Sequence, residues 1–207
     1  MTESWESTRR VSPVRKHERG QRGDLCPLPT VRGLPRSSIH EVEAVNVLAL
    51  DLGSKTGWAL VESGRIESGV QVFDVKRGES PGMRYVRFRR WLGEQGLSFG
   101  NKVFVPRVEL IVYEQVHHRG GAATEVASGF STRVQEFCAE HGIEHAAIHS
   151  ATLKKFATGK GNADKGEMFH AAVAKGWLSV ADPATRDDNE VDALCLLRYA
   201  LAEIIGP

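Results

Sequence analysis

Three carboxylates stand where a carboxylate is costly. Asp51 closes the apolar run Val47-Leu48-Ala49-Leu50, and Glu114 closes Leu110-Ile111-Val112-Tyr113. Asp192 is set among Val191, Ala193 and Leu194, with Asp188 four residues earlier on the same helical face. A buried, unpaired carboxylate costs several kcal/mol or more, so such groups take a partner or a metal. Brought to one place, these acids would repel and raise one another's pKa values unless cations bound. Oxygen-rich clusters suit magnesium or manganese. Two such ions ~4 Å apart clamp the attacking and leaving oxygens in phosphodiester cleavage. Taken singly, each acid also reads as a cap, a surface charge or an ion-pair partner, and Asp51, with Gly53 and Gly57 beside it, as a turn residue.

The elements that must position these acids can be read in order. Residues 45–51, 57–62 and 66–74 run apolar or alternate, with Ser63-Gly64 as a turn, predicting a three-stranded antiparallel meander. Pro81 opens a helix over Met83–Gln95, with Tyr85, Phe88, Trp91 and Leu92 as its apolar stripe. Its other face carries Arg84, Arg87, Arg89 and Arg90, solvated or facing phosphate. A strand over 108–114 follows, and then the loop Gln115–Gly121. The next helix spans 122–141, with Val126, Phe130, Val134 and Phe137 at helical spacing and Gly142 as its C-terminal cap. A short strand is expected over 143–148, and Ser150 is expected to cap a short helix over 153–156. A polar Gly-rich loop, Thr158–Lys165, precedes a helix to Lys175. Asp187-Asp188-Asn189 are suited to capping a last helix, Glu190–Ile204. The order predicts an α/β fold: a five-stranded mixed sheet, three antiparallel strands then two parallel, flanked by helices. If the first and fourth strands are parallel neighbours, Asp51 and Glu114 meet at their C-terminal ends, where such sheets host sites.

Composition narrows the class. The 207 residues are 41% hydrophobic, and no apolar run approaches the ~20 residues that span a bilayer. No apolar signal-peptide core is evident near the N-terminus. Cys26, Cys138 and Cys195 are scattered and odd in number, which points to a reducing, cytoplasmic setting rather than a disulfide framework. Net charge is +1, unevenly spread: residues 1–36 hold eight Lys/Arg against four Asp/Glu. Residues 1–41 therefore read as a disordered basic tail, and 42–207 as the folded domain. The tail could add non-specific phosphate contacts.

Four segments in this order resemble the RuvC family of Holliday junction resolvases, within the RNase H-like/retroviral integrase superfamily. They are Leu50-Asp51-Leu52-Gly53-Ser54…Gly57; Tyr113-Glu114-Gln115-Val116 with small residues to Gly129; Thr158-Gly159-Lys160-Gly161-Asn162-Ala163-Asp164-Lys165, with Lys154; and Asp188-Asn189-Glu190-Val191-Asp192-Ala193-Leu194. The resemblance covers roughly residues 46–202, and the last motif looks most like phage-encoded relatives, which would place the protein in the host cytoplasm. It implies a homodimeric, magnesium-dependent endonuclease, with manganese as a possible substitute, active in DNA recombination and repair. Such an enzyme nicks opposed strands of a four-way DNA junction symmetrically, leaving 5′-phosphates. Asp51, Glu114 and Asp192 would hold two metals. The fourth ligand would be Asp188, Asn189 or water. Lys165 would act beside the acids, and Lys154, Lys160 and Lys165 would contact DNA. His117 stands where relatives place a wedging aromatic, followed by His118 and Arg119 as further DNA contacts. Helix 122–141 would pack against its twin through Val126, Phe130, Val134 and Phe137, unless that stripe is core.

Three other readings stay open. An actin/hexokinase-like ATPase also opens on a strand and an Asp-x-Gly turn, but needs a second lobe. Another RNase H-like nuclease, cutting RNA–DNA hybrids or flaps, would use the same acids. A non-catalytic junction-binding protein would keep the basic groups and not need the acids.

Overall fold

The computed structural model describes residues 45–100, 103–116, 121–178 and 187–206. In chain order the elements are β1 (Val47–Asp51), β2 (Lys55–Glu62), β3 (Arg65–Val72), α1 (Met83–Gly96), β4 (Leu97–Gly100), β5 (Val103–Pro106), β6 (Leu110–Glu114), α2 (Ala122–His141), β7 (Glu144–Ile148), α3 (Ser150–Thr158), α4 (Lys165–Ala174) and α5 (Asp188–Tyr199). All fall in one unit, Val42–Pro207. The expected tail over 1–41 lies outside the described residues. No helix among the described residues is long and apolar enough to cross a membrane.

Five strands form a mixed sheet in the order β3-β2-β1-β6-β7. The meander pairs antiparallel, while β1 runs parallel to β6 and β6 parallel to β7. The register Val47↔Leu110 through Leu50↔Tyr113 sets the ends of β1 and β6 side by side. β1 is central, and Val47 to Leu50 are each 0% exposed, which is why its sequence is continuously apolar.

Alternation along the strands sorts the core into two layers. Val47, Ala49, Ala59, Val61, Leu110 and Val112 pack against α3, α4 and α5. Leu48, Leu50, Leu60, Ile111 and Tyr113 pack against α1 and α2. Asp51 continues the Val47–Ala49 parity and Glu114 the Leu110–Val112 parity, so both face the layer that contains α5. The other layer is aromatic: Phe73, Phe88 and Phe130 meet edge-on or tilted within 4.9–5.9 Å.

At three points the structure decides, adds to or corrects the sequence reading. Phe130, Val134 and Phe137 are 0% exposed, so the α2 stripe is core against the sheet and α1 and cannot be a subunit interface. The segment between α1 and β6, unassigned in the sequence, holds an antiparallel pair, β4 and β5, with Phe99 opposite Phe104. The cap of α3 is His149, whose Nδ1 accepts from the Ala151 amide at 3.2 Å, and Ser150 is the first helical residue.

Candidate active site at the ends of β1 and β6

Asp51 sits half-buried at the end of β1, and Glu114 likewise at the end of β6. The final helix brings the third acid to them. α5 is anchored at its first turn by a close approach to β2. A Cβ on Gly57 would fall 1.8 Å from the Asn189 carbonyl oxygen and 2.2 Å from its carbon. Gly57 is the register partner of Asp51, so the missing side chain lets α5 lie directly beside that strand end. Ser68 Oγ donates to Glu190 Oε1 at 2.7 Å and ties the same turn to β3.

The electrostatics report the convergence. Burial, then the negative charges of Asp192 and Glu114, push the Asp51 carboxyl up to about 8, against the pull of Lys165. Burial and Glu114 push Asp192 up to about 6, opposed by Lys165 and Lys154. Asp192 and Glu114 thus both act on Asp51, and Glu114 acts on Asp192 as well. Glu114 stands between two clefts. One is lined by Asp51, Leu52, Gln115, Val116 and the start of α2, the other by Lys154, Asp164, Lys165 and Asp192.

The residues beside Asp192 divide their work. Lys165 Nζ donates to Asp188 Oδ2 at 2.7 Å, and that bond raises the lysine's pKa. Asp187 caps α5. Its Oδ1 accepts from the Asn189 amide nitrogen at 3.1 Å and from the Asn189 side chain at 2.8 Å, and its other oxygen pairs with Lys55. Burial raises the Asp187 carboxyl, but the bonds from Lys55 and Asn189 outweigh burial and hold it low. Lys160, an expected DNA contact, donates to Glu167 Oε1 at 2.7 Å. His117, His118 and Arg119 lie outside the described residues. The sequence reading missed the pairing of Asp187 with Lys55 as a part of this site. The N-cap position of Asp187 was its only signal.

Among the described residues no three His, Cys, Asp or Glu side chains are gathered to hold one ion. The donor set nonetheless suits a hard divalent cation. Burial and neighbouring acids raise the pKa values of Asp51 and Asp192, and the positive charge of Lys165 opposes both rises, as a bound cation would.

A five-stranded mixed sheet ordered 3-2-1-6-7 and flanked by helices is an RNase H-like fold. No family model matches the chain, and no curated protein matches its sequence. Solved structures do match. RuvC from T. thermophilus in complex with a Holliday junction substrate superposes with a TM-score of 0.57 at 19% identity, covering 74% of this chain and 90% of that one. A second Thermus thermophilus RuvC structure gives 0.53 at 19% identity, covering 75% of this chain and 95% of that one. The chain has the fold of these resolvases.

Proposed function

We propose that this protein is a metal-dependent endonuclease that resolves four-way DNA junctions in the cytoplasm, cutting opposed strands symmetrically to leave 5′-phosphates. The observation that carries the reading is the convergence of Asp51 and Glu114, which end the parallel neighbours β1 and β6, with Asp192 of α5, close enough that Asp192 and Glu114 add to burial in raising the Asp51 carboxyl. A structural carboxylate is held low by its partners, whereas a ligand cluster strains until a cation arrives. The resolvase fold supports the same reading.

Asp51, Glu114 and Asp192 would hold two Mg2+ ions, or Mn2+ in their place, with Asp188 or Asn189 completing the set. Bound there, such ions activate water and stabilise the departing 3′ oxygen. Asp188 is the better fourth ligand, because the Asn189 amide already serves Asp187 while Asp188 accepts from the ammonium of Lys165 at the cleft. Lys165 and Lys154 border the same cleft and would hold the backbone phosphate at the cut. Two cuts on one junction call for two copies of the chain. The exposed face of α2 is available for that contact, since its apolar stripe is spent on the core.

The test is cleavage of a four-way junction with Mg2+, beside linear duplex, flap and RNA–DNA hybrid substrates. Paired, symmetrical nicks on the junction are expected, and none after Asp51→Asn. Equal cutting of plain duplex would refute junction selectivity and leave a general nuclease of the same fold.

A further inference from the structure

Four arginines line α1, and they are not equivalent. Arg87 pairs with Glu79, and Arg89 with Glu140. Arg84, at the end of α1 nearest the acids, has no carboxylate within ion-pair distance among the described residues. It is nonetheless held in place. Its Nε donates to the Pro81 carbonyl at 3.1 Å and one terminal nitrogen donates to Ser54 Oγ at 3.2 Å. Ser54 lies three residues after Asp51, and its carbonyl accepts from the Phe73 amide at 2.7 Å, so the turn that carries the hydroxyl is itself fixed. A guanidinium has five N–H donors, and these two bonds leave others free.

Arg84 also stands on the opposite side of the sheet from the lysines. Lys154 and Lys165 border the cleft on the α3–α5 face. Arg84 belongs to α1, whose buried residues pack on the other face. A chain laid across the C-terminal ends of β1 and β6 would pass from the lysines, over Asp51, to Arg84. A fixed, half-buried, uncompensated guanidinium at that exit suits one anion of the strand, because its planar fork matches phosphate oxygens.

We propose that Arg84, braced by Ser54, clamps a backbone phosphate of the DNA strand where it leaves the carboxylate cleft on the α1 side. The proposal rests on the nuclease reading above and adds a contact to it. Phosphate contacts fix register and contribute salt-dependent affinity without reading sequence.

The experiment is fluorescence anisotropy of a labelled four-way junction with the full chain in EDTA, from about 50 to about 200 mM salt. Arg84→Ala should raise the half-saturating protein concentration roughly tenfold, the loss of one charge-assisted bond. It should also flatten the slope of log affinity against log salt by about 0.9. Ser54→Ala removes the brace and keeps the charge, so it should retain the salt slope. An unchanged slope in Arg84→Ala overturns the proposal, as does equal flattening of the slope in Ser54→Ala. Wild-type protein that fails to bind the junction at all removes the nuclease reading and this contact with it. Wild-type binding matched by Arg84→Ala removes the contact alone.

Discussion

Gly57→Ala tests whether the site depends on where α5 sits. The new methyl would lie 1.8 Å from the Asn189 carbonyl oxygen, 2.2 Å from its carbon and 2.8 Å from the Glu190 nitrogen, all backbone atoms that cannot rotate away. A carbon–oxygen contact needs about 3.3 Å, so the first turn of α5 must retreat by roughly 1.5 Å. That turn carries Asp188 and Asn189, and Asp192 follows one turn later. A misplacement of about 1 Å in a catalytic constellation costs roughly 100-fold in rate. Overpacking of this kind costs about 1–3 kcal/mol, which a domain of this size survives. Single-turnover junction cleavage with Mg2+ should therefore fall by about 100-fold or more, with far-UV circular dichroism retained. Gly69→Ala is the control. There the new methyl meets only the Trp58 ring at 3.1–3.2 Å, a side chain that can shift, and activity should persist. Wild-type cleavage by Gly57→Ala, or equal losses in both variants, would show that the close approach of α5 does not set the site.

Other expectations follow from the same contacts. Asp51 has a folded pKa of about 8 against an ordinary value of 3.8, so the folded state binds the extra proton between those limits. The Asp51 contribution to stability in EDTA should fall as pH rises from about 4 to about 8, by at most about 6 kcal/mol. Asp51→Asn should remove the part of the overall fall above about pH 6, leave the smaller part due to Asp192, and melt higher than wild type at pH 8, while Mg2+ should raise the melting temperature of wild type only; parallel melting curves would refute the assignment. Asp188→Asn should lower cleavage more than Glu190→Gln, because Asp188 borders Lys165 and Glu190 is turned to Ser68; the reverse order would remove Asp188 as fourth ligand. Gly129→Leu should destabilise the domain, since even a Cβ there would lie 2.4 Å from the Tyr85 ring between α1 and α2. Chemical denaturation measures it, and unchanged stability would show that the two helices are free to part.

What was legible in the sequence follows from what each signal encodes. Asp51 and Glu114 could be found because a charge ending an unbroken apolar run breaks a pattern that burial on both faces imposes. Their common orientation needs only the two-residue period of a strand together with the parallel register. The pairing of β4 and β5 was missed because, apart from Leu97, its apolar residues serve no core. Phe99 and Phe104 are 68% and 66% exposed, so neither helical nor strand burial periodicity marks them. A turn between two short β-rich runs, Ser98–Gly100 and Val103–Val105, was the available cue.

The α2 stripe shows the opposite failure. Val126, Phe130, Val134 and Phe137 announce an apolar face, but periodicity cannot say whether a sheet or a second subunit covers it. The aromatic layer of Phe73, Phe88 and Trp91 claims it here. Gly57 carries the deepest consequence and the weakest signal. In sequence it is one of 21 glycines, read as a turn residue beside Asp51. Its value is an absence, the empty volume into which the Asn189 carbonyl packs, and that is visible only once β2 and α5, 132 positions apart at the contact, are in place. The acids supply the chemistry, but their separation is set by a residue with no side chain. For that reason the substitution most damaging to the geometry need not touch any charged group.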